Sequence, residues 1–124
     1  MDEKEIMSYY ETEEEAQNVL QASRKRIDEI DNDLVNLISE RTSLAKDIVS
    51  AKVFLGMDIY DKSREDQVHA KVSRLAQEKN IDDDILSDIM NMLTILSKNK
   101  QRELLNKQRK LLEEWLWEIL ELHL

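Results

Sequence analysis

The sequence predicts an all-α fold with three helices, the first of them very long, and an extra helical extension at the C-terminus. Three observations carry that prediction. From Ser23 to Leu55 there is no proline and no glycine, and the apolar residues Ile27, Ile30, Leu34, Leu37, Ile38, Leu44, Ala45 and Ile48 recur at spacings of three and four, the period of one amphipathic helix. The whole chain holds a single glycine and no proline, which favours long unbroken helices over turns. The same three-and-four spacing returns in two later stretches, after residues that cap helices. At 1.5 Å per residue the first helix runs about 50 Å, whereas a compact chain of this length has a radius of gyration of only about 14 Å. A partner subunit is the simplest cover for such a helix.

In order along the chain, residues 1–11 are acidic, and Ile6, Met7, Tyr9 and Tyr10 are their large apolar groups. Thr12 followed by Glu15 spells a capping box. Ala16, Val19 and Leu20 continue the helical phase, so the long helix can begin near Glu13. Gly56, just after Leu55, suits the left-handed residue that ends a helix, and residues 57–60 form a short loop. Asp61 caps a second helix, with Val68, Val72, Leu75 and Ala76 as its core face and Arg64 and Glu65 on either side. Asn80 ends it, and Asp82 or Asp83 opens a third helix, apolar at Ile85, Leu86, Ile89, Met92, Leu93 and Leu96. Ser97 and Gln101 share one edge of that stripe.

The pattern continues through Leu104, Leu105, Leu111, Leu112, Trp115, Leu116, Ile119, Leu120 and Leu122, with Arg109–Glu113 and Lys110–Glu114 as i,i+4 pairs. Trp115 and Trp117 are two apart and do not share one narrow stripe, so the tail is either sandwiched on two sides or partly exposed. It can pack on Tyr9, Tyr10 and Val19, dock another protein, or be an added extension.

Composition bounds the function. A net charge of −9 argues against a nucleic-acid or anionic-membrane surface, while leaving room for a small anion where basic residues converge. With no cysteine there is neither a disulfide frame nor a cysteine-based zinc site. The acidic N-terminus has no apolar core of a signal peptide, and no apolar run approaches the ~20 residues of a membrane span. The expected location is cytoplasmic. Neither His69 nor His123 has neighbours that suggest a triad, no metal-ligand spacing is present, and one glycine cannot build a phosphate loop. No metal and no cofactor are expected.

One feature of the first stripe is out of place. Arg41 and Lys52 fall about 20° apart around the helix axis, near the middle of the apolar face, where charge is costly unless paired or bound. Long stems that pack while the heads reach water are the ordinary explanation. Two cations in register also fit an anion pocket. Arg24, Arg41, Lys52, Arg64, Glu65, Ser97 and Gln101 all lie on or beside core faces of the three helices, with Asp61 at the loop. Such a set grips anions and does little proton transfer.

These residues carry a resemblance. R-x-x-I-D-x-I-D from Arg24, E-R at Glu40–Arg41, L-A-K-D-I followed by Lys52, D-x-x-R-E at Asp61–Glu65 and S-x-x-x-Q at Ser97–Gln101 resemble the all-helical AroQ-type chorismate mutases. The resemblance implies a three-helix fold intertwined as a homodimer with two identical sites. It implies a domain over residues 22–105, flanked by an acidic extension at 1–21 and an amphipathic helical extension at 106–124, both departures from the usual family length. By the same resemblance, Arg41 and Arg24 hold the two carboxylates of chorismate, with Arg24 supplied by the other subunit. Their separation of about 25 Å along the axis agrees with that division. Lys52 contacts a carboxylate and the ether oxygen, Gln101 donates to that oxygen, Glu65 accepts from the ring hydroxyl beside Asp61, and Arg64 and Ser97 complete the carboxylate contacts. The implied activity is rearrangement of chorismate to prephenate, in phenylalanine and tyrosine biosynthesis. An isochorismate–pyruvate lyase of the same fold, or a non-catalytic helical docking module, are the alternatives.

Overall fold

The computed structural model describes residues 2–3 and 9–123, the side chain of His123 excepted; Ile6, Met7 and that histidine side chain therefore lie outside the described residues. Among the described residues the long elements are, in order, α1 (Glu13–Ser43), α2 (Ala45–Phe54), α3 (Lys62–Lys79) and α4 (Asp83–His123). No strand occurs among the described residues, and the all-α class holds. The chain divides into two compact units, residues 1–38 and 39–124.

The first unit is essentially the leading part of α1. Thr12 Oγ1 accepts from Glu15 N–H at 3.1 Å, and Glu13, Glu14 and Glu15 place negative charge at the positive end of the helix dipole. The reciprocal arm of the capping box is displaced by one residue: the Glu15 carboxylate accepts from Glu11 N–H at 3.3 Å rather than from Thr12. This helix buries nothing. Ile27, Leu34 and Leu37 are each at least half exposed and Ile30 is 39% exposed, so the apolar stripe is a single uncovered face.

The long helix is not unbroken, as its periodicity suggests, but has a seam at Leu44. Leu44 keeps a right-handed conformation (φ −69°, ψ −13°), yet its N–H donates to Arg41 O at 3.3 Å, a tighter i−3 bond. The cause is local: Ser43 Oγ donates back to Glu40 O at 2.6 Å, competing with the backbone ladder and bending it. The helix resumes as α2.

The second unit is built on α4, against which α2 and α3 both pack. Its fully buried apolar residues are small: Ala45 and Val49 from α2, Val72 and Ala76 from α3. Both helix stops have the same construction. After α2, Gly56 N–H donates to Val53 O and Met57 N–H to Lys52 O; after α3, Asn80 N–H donates to Gln77 O and Ile81 N–H to Ala76 O. Gly56 (φ 68°) and Asn80 (φ 55°) take the left-handed conformation this motif needs. Asp61 Oδ1 accepts from Arg64 N–H to start α3, and Asp82 Oδ1 accepts from Ile85 N–H to start α4. Asp83 accepts from both Ser73 and Ser87 hydroxyls at 3.1 Å, tying the start of α4 to α3.

Past Gln101 the helix continues as a half-exposed apolar rod. Trp115 and Trp117 are 56% and 67% exposed, and Tyr9, Tyr10 and Val19 are also exposed.

A Cβ at position 56 would meet nothing within 4 Å, so only the backbone conformation demands glycine there. Gly56→Ala is expected to lower stability by about 1–2 kcal/mol, measured by urea denaturation, with no change in helix content.

Candidate active site

Within the second unit, the end of α1, α2, α3, α4 and the loop before α3 line a half-open cavity of about 350 Å³, at the lower end of the usual range for small-ligand sites. Its walls are Leu44, Ile48, Ile59, Val68 and the methyl-bearing Thr94, and its polar lining is Arg41, Lys52, Asp61, Arg64, Glu65, Ser97, Lys98 and Gln101. Four cations thus face two carboxylates, a net positive lining in a chain that is strongly acidic as a whole.

Each side chain is placed by its helix. Arg41, in the last turn of α1, donates from Nη1 to Leu93 O on α4 at 3.0 Å. Eleven residues on, Lys52 points into the same space, as the 20° phase difference requires. Its ammonium donates to Ile59 O in the loop and to Gln101 Oε1 at 3.0 Å. Gln101 is 3% exposed, and its Nε2 donates to Ser97 Oγ at 3.1 Å, the i,i+4 contact expected along α4. A lysine ammonium has three N–H donors and an amide nitrogen two. Lys52 and Gln101 therefore each retain one donor beyond these bonds.

Asp61 sits at the cavity edge while capping α3 through Arg64 N–H. Arg64 is exposed, whereas Arg41, Lys52, Lys98 and Glu65 are half-buried. Seven of the eight residues expected from sequence therefore line one cavity. Arg24 is the exception: it lies in the first unit, is exposed and is not among the lining residues.

Lys98 is the lining residue that the sequence reading passed over. Its Nζ lies 3.2 and 3.3 Å from the two Glu65 carboxylate oxygens and 5.3 Å from the Tyr60 ring centre. The pair is well sheltered, with 19% and 31% of the two side chains exposed. Its signal in the sequence is positional: Lys98 is three residues before Gln101, hence on the same side of α4, and a carboxylate at Glu65 beside a core face calls for a counter-ion.

Residues 23–102 match the family described as chorismate mutase type II, a span that contains every expected site residue from Arg24 to Gln101. The chain is also 41% identical over 91 residues to the chorismate mutase of Methanocaldococcus jannaschii, an alignment covering 70% of this chain and 92% of that relative. No described helix is long and apolar enough to cross a membrane. Agreement on this scale, reached independently of the cavity and yet spanning all of its walls, shows that the chain belongs to the type II chorismate mutase family.

Proposed function

We propose that two copies of this chain form two equivalent sites, each of which folds one chorismate dianion into its reactive shape and rearranges it to prephenate. The observation that carries this reading is the small cavity in which Arg41, Lys52 and Gln101 converge with spare donors. Arg41 and the partner's Arg24 each grip one carboxylate, and Arg64 and Ser97 complete those contacts. Glu65 accepts from the ring hydroxyl, next to Asp61.

The reaction is an intramolecular pericyclic rearrangement, so no covalent intermediate is required. Two things remain for the protein to do. It must hold a flexible dianion in a compact, chair-like conformer, and it must stabilise the negative charge that builds on the ether oxygen as the C–O bond breaks. The third N–H of Lys52 and the second N–H of Gln101 are the donors we assign to that purpose, and the bonds both groups already make to Ile59, to each other and to Ser97 hold them in place. Lys98 offsets the charge of Glu65, which would otherwise repel a dianionic substrate. We place the reaction in the cytoplasm, within aromatic amino acid biosynthesis.

The two-copy site is supported by the stripe Ile27, Ile30, Leu34 and Leu37, a wholly uncovered face in the first unit. It is supported also by the roughly 25 Å that separate Arg24 from Arg41 along one helix, too far for both to hold one small ligand.

The direct test is loss of chorismate absorbance on adding the purified protein, with prephenate identified as product; turnover of isochorismate in its place would overturn the assignment. Lys52→Ala is expected to lower kcat about 10²–10³-fold, and Ser97→Ala much less; equal small losses would remove Lys52 from its role. Mixing Arg24→Ala with Arg41→Ala, each inactive alone, should restore up to about a quarter of wild-type activity, because half of the two-fold dimers then carry one intact site. No recovery would confine both arginines to one chain. Lys98→Met should raise KM more than it lowers kcat, and adding Glu65→Gln to it should bring KM part of the way back, as coupled neighbours do.

A further inference from the structure

α4 outlasts the helices that cover it. Glu65 pairs with Lys98 and Ser73 with Asp83, so α3 runs antiparallel to α4 and its first residue, Lys62, falls level with about residue 101. α2 ends at Phe54, just past Lys52, which bonds Gln101. Both neighbours of α4 therefore stop within a turn or so of Gln101, while α4 continues to His123, about 33 Å further. Along that length Leu105, Gln108, Leu112, Trp115, Ile119 and Leu122 step alternately by three and four, the seam of a two-stranded coiled coil. Leu112, Trp115 and Leu122 are each more than half exposed.

The charges of this rod select its partner. Residues 104–112 carry three cations and no acid, and residues 113–121 carry four acids and no cation. Within one helix that order is unfavourable. Acids gather at the C-terminal end, against the helix dipole, and Arg109–Glu113 and Lys110–Glu114 put the cation before the acid, the weaker order for an i,i+4 pair. A neighbour with the same pattern that runs the opposite way lays its cationic half along this acidic half. Residues 1–21, with seven acids and one lysine, suit the cationic half alone and meet the other half with like charge.

We infer that the C-terminal rods of two copies of this chain pair as an antiparallel coiled coil. One register uses the whole rod. Leu105 lies opposite the partner's Leu122, Gln108 opposite the partner's Ile119, and Leu112 opposite the partner's Trp115. A shift of one heptad toward the cavity would set the partner's Ile119 against Gln101, which is 3% exposed and already covered; a shift the other way shortens the seam. In this register Lys107 falls between the partner's Glu118 and the partner's Glu121. Positions 107, 118 and 121 project within about 60° of one another around the axis, and a two-fold pair brings the same flank of each helix together. Glu113 and Glu114 sit at the midpoint but point roughly 120° away from the seam, off the contact. A parallel pair would instead set each lysine on its own copy and each glutamate on its own copy.

The chain has no cysteine, so Gln108→Cys and Ile119→Cys variants of the full chain report the direction of pairing. Coexpressed and mildly oxidised, the two are expected to give a covalent two-chain species on a non-reducing gel, and each variant by itself none. Crosslinking of each variant to its own copy means parallel rods and overturns the inference. Absence of any crosslink, as when residues 1–21 or another protein cover the rod, also overturns it. A charge exchange supplies the second readout. Lys107→Glu should cut the crosslinked yield severalfold, and Glu118→Lys with Glu121→Lys added to the same chains should restore it. Positions 107 and 118 are about 16 Å apart along one helix and do not touch within a chain, so recovery reports the partner; no recovery overturns the inference. Neither readout uses turnover or the two-copy site, so failure here leaves the proposed activity standing, and loss of that activity leaves this pairing standing.

Discussion

Lys52 is the point on which the second unit turns. Its ammonium reaches the Ile59 carbonyl and the Gln101 amide together, joining α2, the following loop and α4 through one charged group. Gln101 passes the connection on to Ser97. Gln101 is the buried polar residue of the described chain, and a buried amide left without its partner costs about 1–3 kcal/mol. The apolar residues buried around it are few and small. Polar ties across helices therefore carry an unusual share of the organisation, and the groups that would meet a substrate are also the groups that hold the helices in place.

Much of this was legible because helical geometry is regular. Eleven residues bring a side chain back to nearly the same angle, which is why Arg41 and Lys52 could be assigned to one face from numbering alone. Ser97 and Gln101 follow from i,i+4 spacing in the same way. The ends of helices were legible for a different reason: Gly56 and Asn80 are residue types that accept left-handed backbone, and Asp61 and Asp82 are types whose side chains replace missing backbone acceptors.

What could not be read is what depends on a particular rotamer or on distance in sequence. The seam at Leu44 depends on the Ser43 hydroxyl turning back to Glu40; a serine on the outer face of a helix as often points to water, and the pattern does not say which. The pairing of Lys98 with Glu65 spans 33 positions and arises only once α3 and α4 are packed. Arg24 is a third kind of case. Its residue type and spacing are plain in the chain, yet it lies exposed in the first unit and is not among the residues that line the cavity.

The Lys98–Glu65 pair also bears on what the cavity refuses. Four unopposed cations in so small a space would hold inorganic phosphate, nucleotides and most other abundant polyanions of the cell, because Coulomb attraction does not discriminate by shape. An internal carboxylate with its own ammonium reduces that indiscriminate pull while keeping the lining positive. It also places at the wall a carboxylate that can accept a hydrogen bond from one direction, which adds geometry to charge.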